Sequence, residues 1–396
     1  MKGPRWKVLR GATLPLPVTS PTPPPPVLVD DDVSLAGLLS GLDAAPDAPA
    51  SLDTEADSFH HYVEKLCLVQ IGIGSQVFLV DPLRSPPLAP LVERLAARAL
   101  LMHGADFDLR LLFRSFRFRA QAVFDTMLAA QLLGEKEIGL AALLQKRLSV
   151  ALDKAHQRAD WSVRPLPPPM VAYAAADVTH LPALVSSLRA DLESTGRLAW
   201  HTEECERLVS ATFPAERISD PENDWRLKGT NALSDRERAF VRALWEVREA
   251  RAAALDLPPF RVLTNERLLH AAKIAAAGEG DLLRLFPGPR SLPGAFSSEV
   301  RRALASASAL PPEAWPRVRP REAAEADPAL ERAVERLRRE RDRKAHALKL
   351  DPGVLASRGA LTAVARAVLD GVPLSPERLA ARSGISRWRA EILLSR

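Results

Sequence analysis

The residues of this chain best able to do chemistry are acids at short, regular spacing. Asp53-Thr54-Glu55 sets two carboxylates at i and i+2, and on a β-strand such side chains leave the same face a few ångströms apart. Two close carboxylates repel, and burial makes one of them hold its proton unless cations neutralise the pair. Hard cations such as Mg²⁺ take this kind of oxygen ligand, completed by phosphate and water. A lone Asp-x-Glu is usually surface acid, so the pair needs company. Tyr173-Ala174-Ala175-Ala176-Asp177 supplies some. At i and i+4 on a helix the phenol and the carboxylate share a face, and with Asp177 on a cation the tyrosine hydroxyl can orient an attacking water. A third group, His103-Gly104-Ala105-Asp106-Phe107-Asp108-Leu109, reads as a strand end leading into a helix. Asp106 and Asp108 both qualify as ligands but lie on different helix faces, so one of them is expected at the site. His103 invites a metal or acid–base role; the ordinary reading is a hydrogen-bonded histidine at a strand end.

These groups need a scaffold of strands and helices in layers. Leu66-Cys-Leu-Val-Gln-Ile-Gly-Ile73 and Val77-Phe-Leu-Val80 are β-rich runs around Gly-Ser-Gln, which predicts a hairpin. Helical patterns cover 88–98, 109–113, 126–133, 170–176 and 184–192, with an extended stretch over 99–103. Asp125 reads as the N-cap of the helix that follows it. The mixture predicts an α/β domain. After Asp220-Pro221 the pattern is helical throughout. Ser234-Asp-Arg-Glu237 is a capping box opening a long helix that stops before Pro258-Pro259. Leu257-Pro-Pro-Phe-Arg-Val-Leu263 with Leu268 is echoed by Leu350-Asp-Pro-Gly-Val-Leu355 with Leu361, each copy following an Arg-rich helix. The echo predicts two small helical domains. The expected organisation is a Pro-rich tail over 1–26, an α/β domain over 27–215, and helical domains over 226–310 and 325–396.

Composition narrows the class. With 396 residues, 47% of them apolar, the chain is expected to fold as two or three packed domains. Met1–Asp32 contains no run suited to a signal peptide, and no stretch approaches the ~18 apolar residues that span a bilayer. Two cysteines, Cys67 and Cys205, argue against a disulfide framework or a thiolate zinc site. A cytoplasmic protein is expected, with neither membrane nor small-molecule cofactor. The net charge is +5, yet 226–396 holds 32 basic against 21 acidic residues, while 1–225 holds 22 against 28. An acidic half beside a basic half suits cation chemistry in one and polyanion binding in the other. Arg332, Arg336, Arg338, Arg339, Arg341, Arg343 and Lys344 are interleaved with Glu331, Glu335, Glu340 and Asp342, so a solvated, salt-bridged face competes with an RNA track there.

Taken jointly, the order and spacing of these motifs resemble the ribonuclease D family of DEDD exonucleases, in the subtype with tyrosine in its third motif. The match continues through Phe124-Asp-Thr-Met127, Leu152-Asp-Lys-Ala-His-Gln-Arg-Ala-Asp-Trp161 and Arg164-Pro-Leu166. The helical remainder resembles HRDC modules, the first copy through Lys228-Gly229, Leu233-Ser234, Trp245, Arg248 and Pro258–Leu263, the second more divergent. The resemblance implies a ribonuclease H-like exonuclease domain with a mixed sheet, followed by two small all-α HRDC-like domains. In its register the second-motif acid stands five residues after His103, which selects Asp108. One departure is Ala45-Pro-Asp-Ala-Pro-Ala-Ser-Leu52, where the family has an apolar strand; Pro49 is expected to shorten that strand.

The implied activity is 3′→5′ hydrolysis of RNA to nucleoside 5′-monophosphates. Two divalent cations, Mg²⁺ or Mn²⁺, would be held by Asp53, Glu55, Asp108 and Asp177, with Tyr173 aligning the water. His60, Tyr62, His103, Lys154 and Gln157 are candidate substrate contacts. The expected partner is RNA with a free 3′ end, tRNA precursors among them. The alternatives are a DNA 3′→5′ exonuclease, since sugar choice depends on 2′-hydroxyl contacts that no motif reveals, and a non-catalytic nucleic-acid-binding protein.

Overall fold

A computed structural model describes residues 24–153, 155–211, 220, 222–278, 294–317, 327–371 and 375–395. Lys154 and residues 1–23 of the Pro-rich tail lie outside the described residues. The chain divides into two units, one comprising 1–56, 66–214 and 326–396, the other 57–65 and 215–325.

The first unit is built on one six-stranded sheet. Strands β1 (Val27–Val29), β2 (Ala50–Ala56), β3 (Leu66–Ile73), β4 (Gln76–Val80), β5 (Ala99–Met102) and β6 (Ala122–Asp125) lie in the order β1-β4-β3-β2-β5-β6. β3 pairs antiparallel with β2 and β4, and the remaining pairs are parallel, so the sheet is mixed. The expected hairpin joins β3 to β4, with Gly74 at φ 59°, a left-handed conformation open to glycine at little cost. Pro49 stands just before β2, where its missing N–H costs the ladder nothing. The strand carrying Asp53 and Glu55 is therefore intact.

Side chains alternate across this sheet and feed two cores. On one face α1 (Asp32–Ala44), α2 (Ala89–Ala96) and α3 (Asp106–Phe116) pack leucines against Leu52, Val69, Ile71 and Leu100. On the other, α4 (Thr126–Leu133), α5 (Leu140–Leu148), α6 (Pro168–Thr179) and α7 (Leu181–Ser194) cover Leu68, Leu79, Leu101 and Phe124. α8 (Leu198–Ala211) follows. The strand β1 and helix α1 had no counterpart in the sequence reading.

The second unit holds α9 (Asp235–Leu255), α10 (Pro259–Val262), α11 (Asn265–Ala276) and α12 (Gly294–Ser308). Ser234 and Glu237 form the expected capping box at the start of α9. The core gathers Trp225, Phe240, Leu244, Leu263, Leu268 and Phe296. The sequence echo coincides with a recurrence of helix lengths. A helix of 21 residues, one of 4 and one of 12 follow one another in α9–α11, and the same lengths recur in α13 (Pro328–Leu348), α14 (Pro352–Leu355) and α15 (Arg358–Leu369).

That second copy, completed by α16 (Pro376–Ser383) and α17 (Arg387–Leu394), belongs to the first unit. Ala345, Leu350, Leu355 and Trp388 enter the same apolar cluster as Leu68, Trp161 and Ala174. Trp388 stacks on Trp200 of α8, ring centroids 4.5 Å apart, and its indole N–H donates to Glu204 at 2.7 Å. Arg197 donates to the Leu348 carbonyl at 2.7 Å. Both cysteines are buried thiols, and no described helix is long and apolar enough to cross a membrane.

Arg164 ties the loop before α6 to the sheet. Its guanidinium forms a two-pronged pair with Asp81, which is 1% exposed, and donates to the Cys67 and Trp161 carbonyls, each at 2.7 Å. Removing one member of a buried pair strands the other charge. Arg164→Met is expected to destabilise the fold by about 3–5 kcal/mol in urea unfolding at neutral pH, and adding Asp81→Asn should recover much of that loss.

Candidate metal centre and nuclease site

Three of the expected acids meet at one point. Asp53 and Glu55 leave one face of β2, and Asp177 comes from the last turns of α6, which packs on that strand. Each offers an oxygen within 4.8 Å of the others. They line a cavity of about 380 Å³ with Thr54, His103, Gln157 and Tyr173. Tyr173 and Asp177, one helical turn apart, both face it, as their spacing predicts.

The electrostatics follow from this crowding. Burial pushes the Asp53 carboxyl well above the ordinary range, and the neighbouring Asp108, Asp177 and Glu55 push it further. Burial, then Asp177 and Asp108, raise Glu55 to about 9. Burial raises Asp177 to about 7. Among the described residues lining the cavity none is Lys or Arg. Clustered hard oxygens lacking an internal counter-charge fit a divalent cation, which would let all three ionise at neutral pH.

The other candidates are placed as follows. Asp108 is buried on α3 and accepts a hydrogen bond from the Thr54 hydroxyl; burial raises it to about 6. It stands behind Thr54 and outside the three-oxygen cluster. Asp106, two residues earlier, faces outward and pairs with Arg110 at 2.8 Å. Tyr173 sits beside Trp161 and His156, and Gln157 lines the same cavity. Burial, reinforced by Asp177, Glu55 and Asp53, raises its phenol, which therefore stays un-ionised.

His103 lines the cavity with Nδ1 2.9 Å from the Thr126 hydroxyl oxygen. The Thr126 proton goes to the Met102 carbonyl at 3.0 Å, so Nδ1 must donate and Nε2 remains an acceptor. Burial lowers the imidazole, keeping it neutral. His60 and Tyr62 lie in the second unit. His60 faces Arg261 at 3.3 Å, and Tyr62 donates to Glu249 at 3.3 Å. Asp125 is an N-cap, accepting from Met127 and Leu128, and also holds Gly104 N–H at 3.0 Å and Ala105 N–H at 2.9 Å. One carboxylate thus ties α4 to the turn that delivers Asp108. Asp153 and Thr54 also line the cavity. Both stand within quoted motifs, but only their position in the fold marks them.

Comparison with known proteins gives this geometry its context. Residues 26–193 match the family model described as 3′-5′ exonuclease, and residues 237–291 match that of the HRDC domain. The chain is 34% identical to ribonuclease D of Acidiphilium cryptum, covering 67% of this chain and 68% of that one. It is 34% identical to ribonuclease D of Gluconacetobacter diazotrophicus, with coverages of 74% and 75%. The structure superposes on Escherichia coli RNase D, an exoribonuclease involved in structured RNA processing, with TM-score 0.66 and 25% identity over 93% of this chain and 96% of that one. Carboxylates built to take a divalent metal, on a mixed sheet followed by an HRDC domain, agree with these likenesses: the chain belongs to the ribonuclease D family and is a 3′–5′ exoribonuclease.

Proposed function

We propose that this enzyme trims the 3′ ends of structured RNA, tRNA precursors among them, one nucleoside 5′-monophosphate at a time. Asp53, Glu55, Asp108 and Asp177 would hold two divalent cations, Mg²⁺ or Mn²⁺. The observation that carries this reading is the three-carboxylate cluster facing Tyr173 across one cavity. When bound, the cations would supply charge neutralisation for the phosphodiester and acidity for a water nucleophile. The protein's own groups do the rest. Asp53, Glu55 and Asp177 fix the position of the positive charge. Asp108, held by Thr54, adds negative charge from behind. The un-ionised Tyr173 orients the water by hydrogen bonding and does not act as a base. His103, with Nε2 unprotonated, can accept a hydrogen bond from a hydroxyl of the terminal ribose. DNA is the alternative substrate. The basic surplus of 226–396 suits sequence-blind phosphate binding, and the reducing cytoplasm suits the two free thiols.

Matched RNA and DNA oligonucleotides with free 3′ ends, with and without chelator, test the reading. RNA should be degraded to 5′-monophosphates only without chelator, and a 3′-phosphate should block it. Faster turnover of DNA would shift the assignment to the alternative. Asp53→Ala or Asp177→Asn should lower kcat/KM by more than about 10³-fold, the equivalent of the several kcal/mol of lost charge stabilisation. Tyr173→Phe should cost about 10²-fold in kcat, as a misaligned nucleophile does.

The raised carboxyls also fix a pH dependence. A folded-state value above the unfolded one means that the native protein binds more protons, so stability falls as pH rises between the two values. Glu55 spans about 4.5 to about 9 and Asp177 about 3.8 to about 7. In chelator, the unfolding midpoint should therefore fall between about pH 5 and pH 8.5. A Glu55→Gln/Asp177→Asn variant should lack this component. At pH 8.5 Mg²⁺ should raise the midpoint of the wild type and leave that of the variant unchanged.

A further inference from the structure

The face of the sheet that carries the site holds a polar group with no stated work. In the β2–β3 register, Ser51, Asp53 and Glu55 stand directly opposite Gly72, Gln70 and Leu68. Opposed residues of an antiparallel pair share a face, with Cβ atoms about 4.5–5.5 Å apart. That face looks onto α6. A Cβ added to Gly72 would lie 3.1 Å from the Ser51 Cβ and 3.6 Å from the Val178 carbonyl. Leu68 shares a cluster with Met170, Ala174 and Val178 of α6, whereas Val69 and Ile71 belong to the opposite core. Gln70 thus points between sheet and helix, beside Asp53 on one strand and Leu79 on the other.

Gln70 is 0% exposed, and neither its amide nitrogen nor its amide oxygen has a hydrogen-bond partner. The Ser51 hydroxyl, on the same face, is buried and unpartnered as well. A buried, unpaired amide costs about 1–3 kcal/mol, and among apolar neighbours such as Leu68 and Leu79 a methionine or leucine would avoid that cost. The polar groups across the strand pair from Gln70 are few, and the Asp53 carboxylate is the one directly opposite.

We propose that Gln70 is a positioning residue for Asp53: in the cation-bound enzyme its amide N–H donates to the Asp53 carboxylate, and the Ser51 hydroxyl donates to its carbonyl. The bond fixes one carboxylate oxygen and thereby aims the other into the cavity. Hydrogen bonds of this kind behind a metal ligand are worth about 10–100-fold in metal affinity. The inference rests on the reading of Asp53 as a cation ligand.

Calorimetric titration of the full-length protein with Mn²⁺, in the absence of RNA, separates the two. Wild type should bind Mn²⁺ and Asp53→Ala should not; equal binding by both overturns the site itself. Gln70→Met should weaken Mn²⁺ affinity by about 10–100-fold while leaving stability in chelator unchanged or higher. Its KM for RNA should be unaltered, and its kcat should recover at saturating Mn²⁺. Wild-type Mn²⁺ affinity in Gln70→Met overturns the proposal while leaving the site standing. Ser51→Ala is the milder change and decides the matter if Gln70→Met does not fold. Several-fold weaker Mn²⁺ binding supports the relay, and unchanged binding overturns it.

Discussion

Asp53, Glu55 and Asp177 present oxygens within 4.8 Å of one another, with Asp108 close behind. Left to themselves, these carboxylates would move apart or hold their protons. The described lining brings no Lys or Arg to relieve them. A fold that keeps such a cluster must oppose its repulsion through the elements carrying it, since these acids do not stabilise one another. The cluster is affordable because a divalent cation reverses the sign of its energetics. The same crowding that raises Glu55 to about 9 becomes attraction once positive charge sits between the oxygens.

The restraint comes from both sides of the sheet. β2 is an interior strand, paired with β5 through Ala50 and Ser51 and with β3 along its whole length, so Asp53 and Glu55 ride on backbone held in register by β3. α6 is held at its start by the Arg164 contacts to Asp81 and Cys67 and along its length by Met170, Ala174 and Val178. Asp125 fixes the turn before α3 and hence the depth at which Asp108 lies under Thr54. The C-terminal helices belong to the same restraint. Ala345, Leu350, Leu355 and Trp388 complete the core behind α6 and α7, so the C-terminal helices share their packing with the nuclease fold. Salt-bridged arginines cover the outer face of α13, Arg338 and Arg339 pairing with Glu335 and Arg343 with Glu340. Their charge is partly spent locally, which leaves less for phosphate than a bare count suggests.

Local rules made much of this legible. Spacing alone put Asp53 with Glu55 and Tyr173 with Asp177 on shared faces, because strand and helix periods are fixed by backbone geometry. The family register chose Asp108 over Asp106, and the fold places the two acids differently. Two residues along a helix is about 200° of rotation, so Asp108 turns inward beneath Thr54 while Asp106 turns out to Arg110. Capping signals found the start of α9 and of α4. What stayed hidden depends on contacts remote in sequence. β1 is three residues long and finds its partner β4 some fifty residues later. Nothing local distinguishes Gln70 from any other strand glutamine; only its register against Asp53 does.

The segment after the first motif shows the same limit from another direction. His60 and Tyr62 stand just beyond Glu55 in sequence, with His61 between them, and the first and last read as candidate substrate contacts. They are engaged within the helical unit, His61 with Asp256 at 2.8 Å, Tyr62 with Glu249, and Phe59 against Phe260 with ring centroids 6.4 Å apart. Residues 57–65 are thus a loop of the β2–β3 connection in which His60, His61 and Tyr62 meet α9, α10 and the turn between them. Two covalent steps separate Glu55 from this loop. The Nδ1 atoms of His60 and His61 and the Tyr62 hydroxyl are engaged by Arg261, Asp256 and Glu249, so the HRDC domain fixes how these side chains are held. The chain uses its two helical repeats differently: one completes the core beneath the carboxylates, and the other takes hold of the loop that leaves them.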